Sequence, residues 1–424
     1  MNFLINIALW ITYLVSLYFS VFILLVYWDK KSLFLKETSE TKLDITPLVS
    51  VLVPAYNEEK TILKTLESIN DLDYPKDKLQ VIVIDDGSKD KTKEIITNYI
   101  KEKSNFQLLS HKNQGKAASL NKALEITNGE FFACLDADSF VEKNTLRKML
   151  NLYYKENNPR LAIITPAMKV HNPKNLLQKV QWLEYLVIIL IARISSHLDS
   201  LYVAPGPFSL YKTQIVRDIG GFDVKSITED QEIAYCIQKE HYQIKQCFDG
   251  YVYTTAPKKI KPFYRQRRRW YLGSIICLNK HKKMVGDKNY GDFGMIQMIK
   301  NVAGYFLAIT GIIFASYYLI MPLIRKMRDL FIIKFNILPY LLNLKIKFTF
   351  LSFLLVDFKK GFVIIFLFMI GFFLFYQAHK NSNEKMMKLG WIPLIPYFVF
   401  YYLLKGLILL LSLLEFSKDR RVKW

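Results

Sequence analysis

Uncharged apolar stretches occupy both ends of the chain, and the first covers residues 3–28. At about 1.5 Å per residue, a helix of this length extends roughly 39 Å, enough to cross a hydrocarbon core of about 30 Å. A secretory signal is the alternative, but nothing basic precedes the run, and it is longer than an ordinary signal core. Lys30 and Lys31 follow directly, and basic residues stay inside. The pattern predicts a transmembrane helix over residues 1–30 and a cytoplasmic segment after it.

The C-terminal part of the chain, residues 295–424, is predicted to be a second membrane region. Its long apolar stretches cover residues 302–324, 361–379 and 389–414. The last of these contains one charge, Lys405, which is costly in a membrane and is explained by snorkelling or by a water-filled polymer passage. Between the first two lies 330–358, whose short apolar runs are broken by lysines and a proline. This segment favours helices in the membrane interface over a full span.

The basic tail at residues 418–423 conflicts with a simple count of these stretches. Three spans after a cytoplasmic domain would place the tail outside, whereas its lysines and arginines favour the inside. Either residues 330–358 add a broken span, or one apparent span is interfacial. We therefore predict an even number of crossings after the domain and a cytoplasmic C-terminus.

Between the two membrane regions, residues 45–285 alternate short apolar runs with amphipathic segments. The runs predicted as buried parallel strands are Val49–Val53, Val81–Ile84 and Phe131–Leu135, with helices over 58–69 and 116–126. Residues 176–194 are apolar but contain Glu184, which predicts an amphipathic helix on the domain surface or the membrane. The alternation indicates an α/β fold with a parallel sheet whose ligands bind at the carboxyl ends of its strands.

The net charge of +21 could indicate a nucleic-acid-binding protein, because residues 258–283 hold ten Lys or Arg and no acid. No nucleic-acid-binding module surrounds this run, however, and much of the basic excess lies beside apolar segments. Membrane lipid headgroups are therefore the predicted partner of these charges, and nucleic acid is not. The four cysteines show no CxxC pair or zinc spacing, so they are expected to be reduced and inert.

Asp136 and Asp138 follow the apolar run 131–135. Two positions apart in extended chain, they would point to the same side and could hold a hard divalent cation that bridges two phosphates. The alternative is a pair of solvated acids in a loop.

Polar residues also follow the other two predicted strands. Asp85 and Asp86 open into a glycine turn and can accept hydrogen bonds from a nucleobase or ribose, although a turn with a helix cap explains them as well. Tyr56 offers a ring for a base, and Glu58 an acceptor for ribose. Lys116 begins a predicted helix and could face the base or a diphosphate.

Acidic and basic candidates for chemistry lie further along the chain. Glu229 and Asp230 follow Thr228, and either carboxylate could take the proton of an acceptor hydroxyl in an inverting transfer. Arg269 can bind a pyrophosphate in a bidentate manner. Trp270 gives a platform for a sugar, or else is a tryptophan of the membrane interface.

Seven motifs in order resemble the processive membrane transferases of glycosyltransferase family 2, which include cellulose, chitin, hyaluronan and poly-N-acetylglucosamine synthases. They are PAYNEE, VIVIDDGSKD, GKAASLN, DAD, GPFSLYK, TED and QRRRW, spread over residues 49–273. The short N-terminal anchor, the size and the basic tail look most like the bacterial poly-β-1,6-N-acetylglucosamine synthases. The sequence lacks a recognisable cyclic-dinucleotide-binding domain and a clear gating loop after Trp270, so regulation of the cellulose-synthase kind is not expected.

The resemblance implies a GT-A nucleotide-sugar-binding domain, with a Rossmann-like mixed sheet, joined to transmembrane and interfacial α-helices. It implies that Asp85 or Asp86 binds the nucleotide, that Asp138 foremost, with Asp136, binds Mg²⁺ or Mn²⁺, and that Asp230 is the general base. The acceptor and the pyrophosphate would be bordered by Gln266, Arg269 and Trp270. The acceptor channel would be lined by residues from Gly206 to 211.

The predicted function is inverting transfer from a UDP-sugar, with UDP-N-acetylglucosamine favoured, to a growing polysaccharide that the protein extrudes. The alternative is transfer of one sugar to a membrane lipid, such as a polyprenyl phosphate or a diacylglycerol. A transporter with a degenerate regulatory domain is a third reading, which the complete set of acids disfavours. The expected location is the cell membrane, multi-pass, with the catalytic domain cytoplasmic and accessory secretion subunits possible.

Overall fold

The computed structural model describes residues 2–36, 45–334 and 358–418. The strands are β1 Val49–Ala55, β2 Leu79–Asp85, β3 Phe106–Ser110, β4 Phe131–Cys134, β5 Ser139–Val141, β6 Leu161–Val170, β7 Ser209–Lys212 and β8 Gln243–Thr254. The helices of the soluble part are α2 Ile62–Asn70, α3 Thr92–Ile100, α4 Lys116–Glu125, α5 Thr145–Glu156, α6 Leu176–His197, α7 Thr213–Asp218, α8 Glu229–Lys239 and α9 Ile260–Lys280. The long terminal helices are α1 Asn2–Lys36, α10 Phe293–Ile332, α11 Phe358–Asn381 and α12 Leu394–Lys418.

All eight strands form one mixed sheet in the order β3-β2-β1-β4-β7-β6-β8-β5. Strands β3, β2, β1 and β4 run parallel, and β7 pairs antiparallel with both β4 and β6. Three of these parallel strands, β1, β2 and β4, contain the predicted apolar runs, which can be continuous because both faces of the sheet are covered, whereas β3 was not predicted. The predicted α/β fold with a mixed sheet is confirmed.

Alternate residues of the central strands enter two hydrophobic clusters on opposite faces of the sheet. Val51 and Val53 of β1 pack in the cluster that contains residues of α2 and α5. Leu52, between them, packs in the cluster that contains residues of α4 and α8. Because strand side chains alternate between the two faces of the sheet, β1 is buried between two layers of helices. This rigid centre fixes the positions of the loops that follow β1, β2 and β4.

A third cluster joins the soluble part to the terminal helices. Helix α6, which begins with a capping box formed by Asn175 and Gln178, contributes most of its length to this cluster. Tyr27 of α1, Phe375 of α11 and Tyr397 of α12 pack there too. The predicted helix over residues 176–194 is thus present, but it is buried between the sheet and the terminal helices.

Four helices are long and apolar enough to cross a membrane, namely α1, α10, α11 and α12. Helices α1 and α11 run parallel, because Lys360 donates to Asn6 Oδ1 at 3.1 Å near their starts and Tyr27 donates to Gln377 Oε1 at 3.0 Å near their ends. The chain after α11 returns to the sheet, where Lys169 Nζ donates to the carbonyl of Ser382 at 2.9 Å.

Some sequence-based predictions concern residues that the structure does not describe. The interfacial helices predicted over 330–358 fall mostly outside the described residues, as does the basic tail beyond residue 418. The four cysteines are free, as predicted, and Cys134, Cys247 and Cys277 are buried.

Candidate active site

Lys116 lies at the centre of a cluster of acids at the carboxyl edge of the parallel strands. Its Nζ lies 2.6 Å from Asp136 Oδ1, after β4, and 2.7 Å from Glu229 Oε1, at the start of α8. Gly115 has φ +89 immediately before α4, a left-handed conformation that glycine adopts without strain. Burial favours the neutral amine, but Asp136 and Glu229 raise the pKa of Lys116 well above its usual value. The lysine therefore stays charged between two carboxylates.

Gly206 passes directly over this ion pair. A Cβ at position 206 would lie 2.8 Å from Lys116 Nζ and about 3.0 Å from Asp136 Oδ2. Any larger residue would therefore displace the pair. The structure brings together Lys116, Asp136, Gly206 and Glu229, which the sequence had predicted as binding residues from four separate motifs.

Asp230 lies beside Glu229, and the two acids differ in their ease of ionisation. Burial, and then the charge of Glu229, raise the pKa of Asp230 to about 6. Burial acts the same way on Glu229, but the adjacent Lys116 ammonium outweighs it and lowers the pKa of Glu229. A carboxylate with a pKa near the working pH is suited to accept a proton during a reaction. Of this pair, Asp230 is the better general base.

The Asp136–Asp138 segment differs from the extended geometry that the sequence predicted. The chain turns at Ala137 and Asp138, and the amide of Ser139 donates to the carbonyl of Asp136 at 3.0 Å. The strand ends at Cys134, before the two acids, so alternation along a strand does not set their directions. Burial, and then the charge of Asp136, raise the pKa of Asp138 to about 6.

The carboxylates around Asp138 fit a hard divalent cation. Asp136 and Glu58 both raise the pKa of Asp138 by repulsion, and the Ser139 hydroxyl donates to Asp138 Oδ1 at 3.0 Å. Oxygen donors that repel one another without a cation are the ligand set that Mg²⁺ and Mn²⁺ prefer. Asp138 and Asp136 therefore offer carboxylate oxygens of the kind that the implied metal takes, and Lys116 also pairs with Asp136 at 2.6 Å.

The carboxylates of Asp85 and Asp86 accept hydrogen bonds from neighbouring loops in this structure. Both oxygens of Asp86 accept from main-chain amides, of Gln114 at 2.8 Å and of Gly115 at 2.9 Å. Asp85 accepts from the amide of Ser88 and the hydroxyl of Ser110, each at 3.1 Å. These bonds fix the loop that presents Lys116 and support the turn alternative raised from the sequence.

The loop after β1 carries the other two residues predicted at the nucleotide. The ring of Tyr56 is 43% exposed and free to stack on a planar ligand. Glu58 Oε2 accepts from the Thr61 hydroxyl at 2.6 Å, and its own amide donates to Thr92 Oγ1 at 2.7 Å. This loop therefore presents an aromatic face beside a fixed carboxylate.

The QRRRW motif lies on α9, and its side chains point in different directions. Arg269 is exposed, and its charge lowers the pKa of both Glu229 and Asp230, which places it on the acidic side of the site. Gln266 Oε1 is buried without a hydrogen-bond partner among the described residues. Trp270 is partly buried, with the Arg267 guanidinium 4.0 Å from its ring centroid.

Sequence reasoning missed the role of Arg267. Its Nη2 donates to Glu184 Oε2 of α6 at 2.5 Å, and Lys405 Nζ of α12 donates to Glu184 Oε1 at 2.5 Å. Tyr401 donates to the same carboxylate at 2.6 Å. Burying a glutamate or a lysine in an apolar helix costs free energy unless the charge is paired. The presence of these two charges in apolar segments was therefore the signal in the sequence that they have partners. Lys405 is thus bound to a carboxylate, which the snorkelling interpretation did not include.

A cavity of about 570 Å³ lies between α9, α10 and α12, and Tyr271, the residue after Trp270, is in its wall. Its wall includes Tyr202, Tyr271, Tyr305 and Tyr402, polar side chains of Ser274, Lys300, Asn301 and Lys405, and Gly304, Gly311 and Gly406. Tyrosines offer apolar ring faces with hydroxyls at their edges, and glycines leave room for a ligand beside the helices.

A second group of metal-ligand side chains, Glu232, Cys236 and His281, lies behind the site. Glu232 Oε1 already accepts from Lys280 at 2.5 Å and His281 at 2.9 Å. This carboxylate is therefore neutralised by the protein itself, and the group ties α8 to the end of α9.

Replacing Arg269 by alanine is expected to raise the dissociation constant of UDP and to lower kcat together, because a positive charge predicted to face the diphosphate is lost. Trp270→Phe should keep part of the activity, since a ring remains, whereas Trp270→Ala should shorten or abolish the product. The measurements are UDP binding by calorimetry and product length on gels. Normal product lengths from both tryptophan variants would show that Trp270 only anchors the protein at the membrane interface.

Comparisons with known proteins find similarity to glycosyltransferases. The sequence model of Glycosyl transferase family 2 matches residues 50–220. The chain is 29% identical over 348 residues to a poly-beta-1,6-N-acetyl-D-glucosamine synthase of Staphylococcus epidermidis, covering 81% of this chain and 79% of that protein. It is 30% identical over 269 residues to the Staphylococcus aureus protein of the same name, covering 61% and 64%.

A solved structure of a mannosyltransferase from Pyrobaculum calidifontis, in complex with GDP-Man and Mn²⁺, has a similar fold. The TM-score is 0.55 at 19% sequence identity, covering 88% of this chain and 99% of that one. The predicted GT-A fold is confirmed, and so is the resemblance to family 2 synthases that the seven motifs indicated.

Proposed function

We propose that this chain, a membrane-bound hexosyltransferase with a catalytic domain of glycosyltransferase family 2, transfers N-acetylglucosamine from UDP-N-acetylglucosamine to a growing polysaccharide. The observation that carries the proposal is the convergence of Lys116, Asp136, Glu229 and Asp230 at the edge of the sheet. The charge of Arg269 acts on Asp230, and Gln231, the next residue, donates to Ser274 Oγ in the wall of the tyrosine-rich cavity at 3.2 Å. The names of the two staphylococcal relatives support the choice of sugar.

Asp230 acts as the general base in this proposal. It accepts the proton of the acceptor hydroxyl as the oxygen attacks the anomeric carbon and the bond to the UDP oxygen breaks. The attack comes from the face opposite the leaving group, so an α-linked donor gives a β-linked product. One base suffices, because the departing diphosphate is neutralised by charge rather than by a proton.

Positive charge around the diphosphate comes from two side chains of this chain. Arg269 is exposed at the acidic side of the site, and Lys116 lies between Asp136 and Glu229. Because both acids hold Lys116 in place, the ammonium needs little reorganisation when the leaving group develops charge. GT-A enzymes are typically dependent on a divalent metal, and we propose Asp138 and Asp136 as its protein ligands. When bound, Mg²⁺ or Mn²⁺ would neutralise phosphate charge.

The acceptor chain is proposed to leave through the cavity beside Trp270. Gln266 Oε1 is buried without a protein donor among the described residues, and an acceptor hydroxyl could donate to it. Tyr271 and Ser274 continue from the motif into the cavity wall. A path of tyrosines and small residues between α10 and α12 suits a neutral saccharide that moves between membrane helices.

A panel of UDP-sugars tests the donor. Purified protein in detergent with Mn²⁺ is expected to release UDP fastest from UDP-N-acetylglucosamine, and mass spectrometry of the product should show repeated addition of that sugar. Faster turnover of another UDP-sugar would correct the identity of the sugar. Lack of UDP release from every donor would contradict the proposed activity.

The catalytic domain is proposed to be cytoplasmic, with the N-terminus outside. Lys30 and Lys31 at the domain end of α1 support this orientation. Since α1 and α11 run parallel, α11 also returns to the domain side. Arg268 of α9 bonds Glu415 near the end of α12, with Nε 2.8 Å from Oε2, which supports an α12 that lies along the domain and a cytoplasmic C-terminus.

Cysteine labelling checks this topology. A cysteine at position 420 in intact cells should react with a membrane-impermeant maleimide no more than the parent chain does. Asn2→Cys is the positive control and should react from outside. Strong labelling at position 420 in intact cells would contradict the cytoplasmic C-terminus.

A further inference from the structure

One buried carboxylate connects three helices behind the active site. Glu184 of α6 is 4% exposed and binds Arg267 of α9, which is 1% exposed, together with Tyr401 and Lys405 of α12. Both carboxylate oxygens are used, Oε2 by Arg267 and Tyr401 and Oε1 by Lys405. Charges buried this deeply persist only when they are paired and hydrogen-bonded.

We propose that Glu184 is a positioning residue for sugar transfer, which couples the acceptor platform on α9 to helix α12. This inference rests on the proposed function, since it takes Trp270 and the cavity as the acceptor path. Glu184 does not touch the Lys116 cluster in the structure and acts through its two cationic partners.

The first partner fixes Trp270. The guanidinium carbon of Arg267 lies 4.0 Å from the Trp270 ring centroid and 5.2 Å from that of Phe263. A guanidinium between two rings of its own helix has many alternative rotamers, and the bond to Glu184 selects one. The ring of Trp270 therefore takes its orientation from a carboxylate on another helix.

The second partner fixes the cavity wall. Lys405 lines the cavity beside Tyr402 and Gly406, and Glu184 Oε1 holds its ammonium in place. The carboxylate of Glu184 thus sets the position of the Trp270 ring relative to the Lys405 ammonium. A displacement of the acceptor by about 1 Å can cost on the order of 10²-fold in rate.

The chain offers a matched control in the Arg268–Glu415 pair. It joins the same two helices, α9 and α12, from the next residue of the motif. It is partly exposed, at 28% and 33% of the two side chains. If Glu184 only fastens α9 to α12, loss of Glu415 should have a similar effect.

The test compares Glu184→Gln, Glu415→Gln and the double variant Glu184→Gln/Lys405→Met with the parent chain. UDP affinity, kcat with UDP-N-acetylglucosamine and product length are measured in full-length protein. Glu184→Gln should lower kcat about 10- to 100-fold and shorten the product, with UDP affinity within about twofold of the parent. Glu415→Gln should stay within a few-fold of the parent.

The double variant separates positioning from charge balance. Removing one negative and one positive charge restores the parent's net charge in the cluster but leaves Arg267 without its carboxylate, so kcat should stay low while UDP binding is retained. Recovery of kcat in the double variant, parent-like kcat in Glu184→Gln, or loss of UDP binding in both would overturn the proposal. Absence of turnover in the parent chain would instead overturn the proposed function.

Discussion

Replacing Asp230 by asparagine is expected to lower sugar transfer by a factor on the order of 10²–10⁴ while UDP-sugar binding stays within a few-fold. Asparagine keeps the size of the side chain and removes the site that accepts the proton. The nucleotide contacts proposed for Lys116 and Arg269 remain, so the loss should appear in kcat and not in the dissociation constant. Single-turnover transfer and UDP-sugar calorimetry measure the two quantities separately.

Asp218→Asn is the matched control, because Asp218 is an exposed acid at the end of α7 whose side chain bonds Gln214. The same chemical change there should leave kcat unaltered. If Asp230→Asn binds donor and still turns over within a few-fold of the parent, Asp230 is not the base.

The pH dependence of kcat/KM gives a second view of Asp230. Because burial and Glu229 raise its pKa to about 6, the active carboxylate form is present above that pH and is lost as the pH falls through it. The acid limb of the parent should therefore fall near that pH, and Asp230→Asn should lose this dependence.

Removal of divalent metal is expected to abolish turnover, and Mn²⁺ or Mg²⁺ should restore it. The reason is that the proposed metal ligands Asp136 and Asp138 and the donor diphosphate all carry negative charge, so a cation is needed between them. Asp138→Ala should remain inactive at any metal concentration that rescues the parent. Turnover is measured as UDP release before and after dialysis against EDTA.

Asp77→Ala serves as the control for loss of an exposed acid outside the site. It should respond to EDTA and to Mn²⁺ as the parent does. Full turnover in excess EDTA would show that the transfer needs no metal.

The ends of strands can be predicted from the sequence, and the ends of parallel strands lie at one edge of a sheet. The sequence could therefore predict which polar side chains lie close together. Lys116 was predicted at the start of a helix and Asp136 after a strand, whereas Glu229 was predicted from its motif alone. The fold brings Lys116 Nζ within 2.7 Å of a carboxylate oxygen of each acid. The sequence could not predict the turn at Ala137, because two acids separated by one residue are compatible with either an extended or a turned chain. It also could not predict that Asp86 accepts from the amides of Gln114 and Gly115, because these two hydrogen bonds depend on the path of the loop before α4.

The buried cluster around Glu184 lay beyond sequence reasoning for a different reason. Glu184 and Lys405 stood out as charges in apolar segments and Arg267 did not, but Arg267 is separated from Glu184 by 83 positions and Lys405 by 221. Periodicity and capping act over a few residues, so they cannot select partners at such separations. Only the packing of α6, α9 and α12 in one apolar cluster brings the charges together.

The size distribution of the product tests the central claim most directly. Purified protein in lipid vesicles is incubated with Mn²⁺ and labelled UDP-N-acetylglucosamine, and the products are separated on a gel and by lipid extraction. Repeated transfer at the Asp230 site, with the acceptor held in the tyrosine-lined cavity, predicts a ladder of saccharides that remains in the aqueous phase and disappears with Asp230→Asn. A single labelled species that partitions into the lipid phase would contradict polymer synthesis and identify a one-sugar lipid transferase.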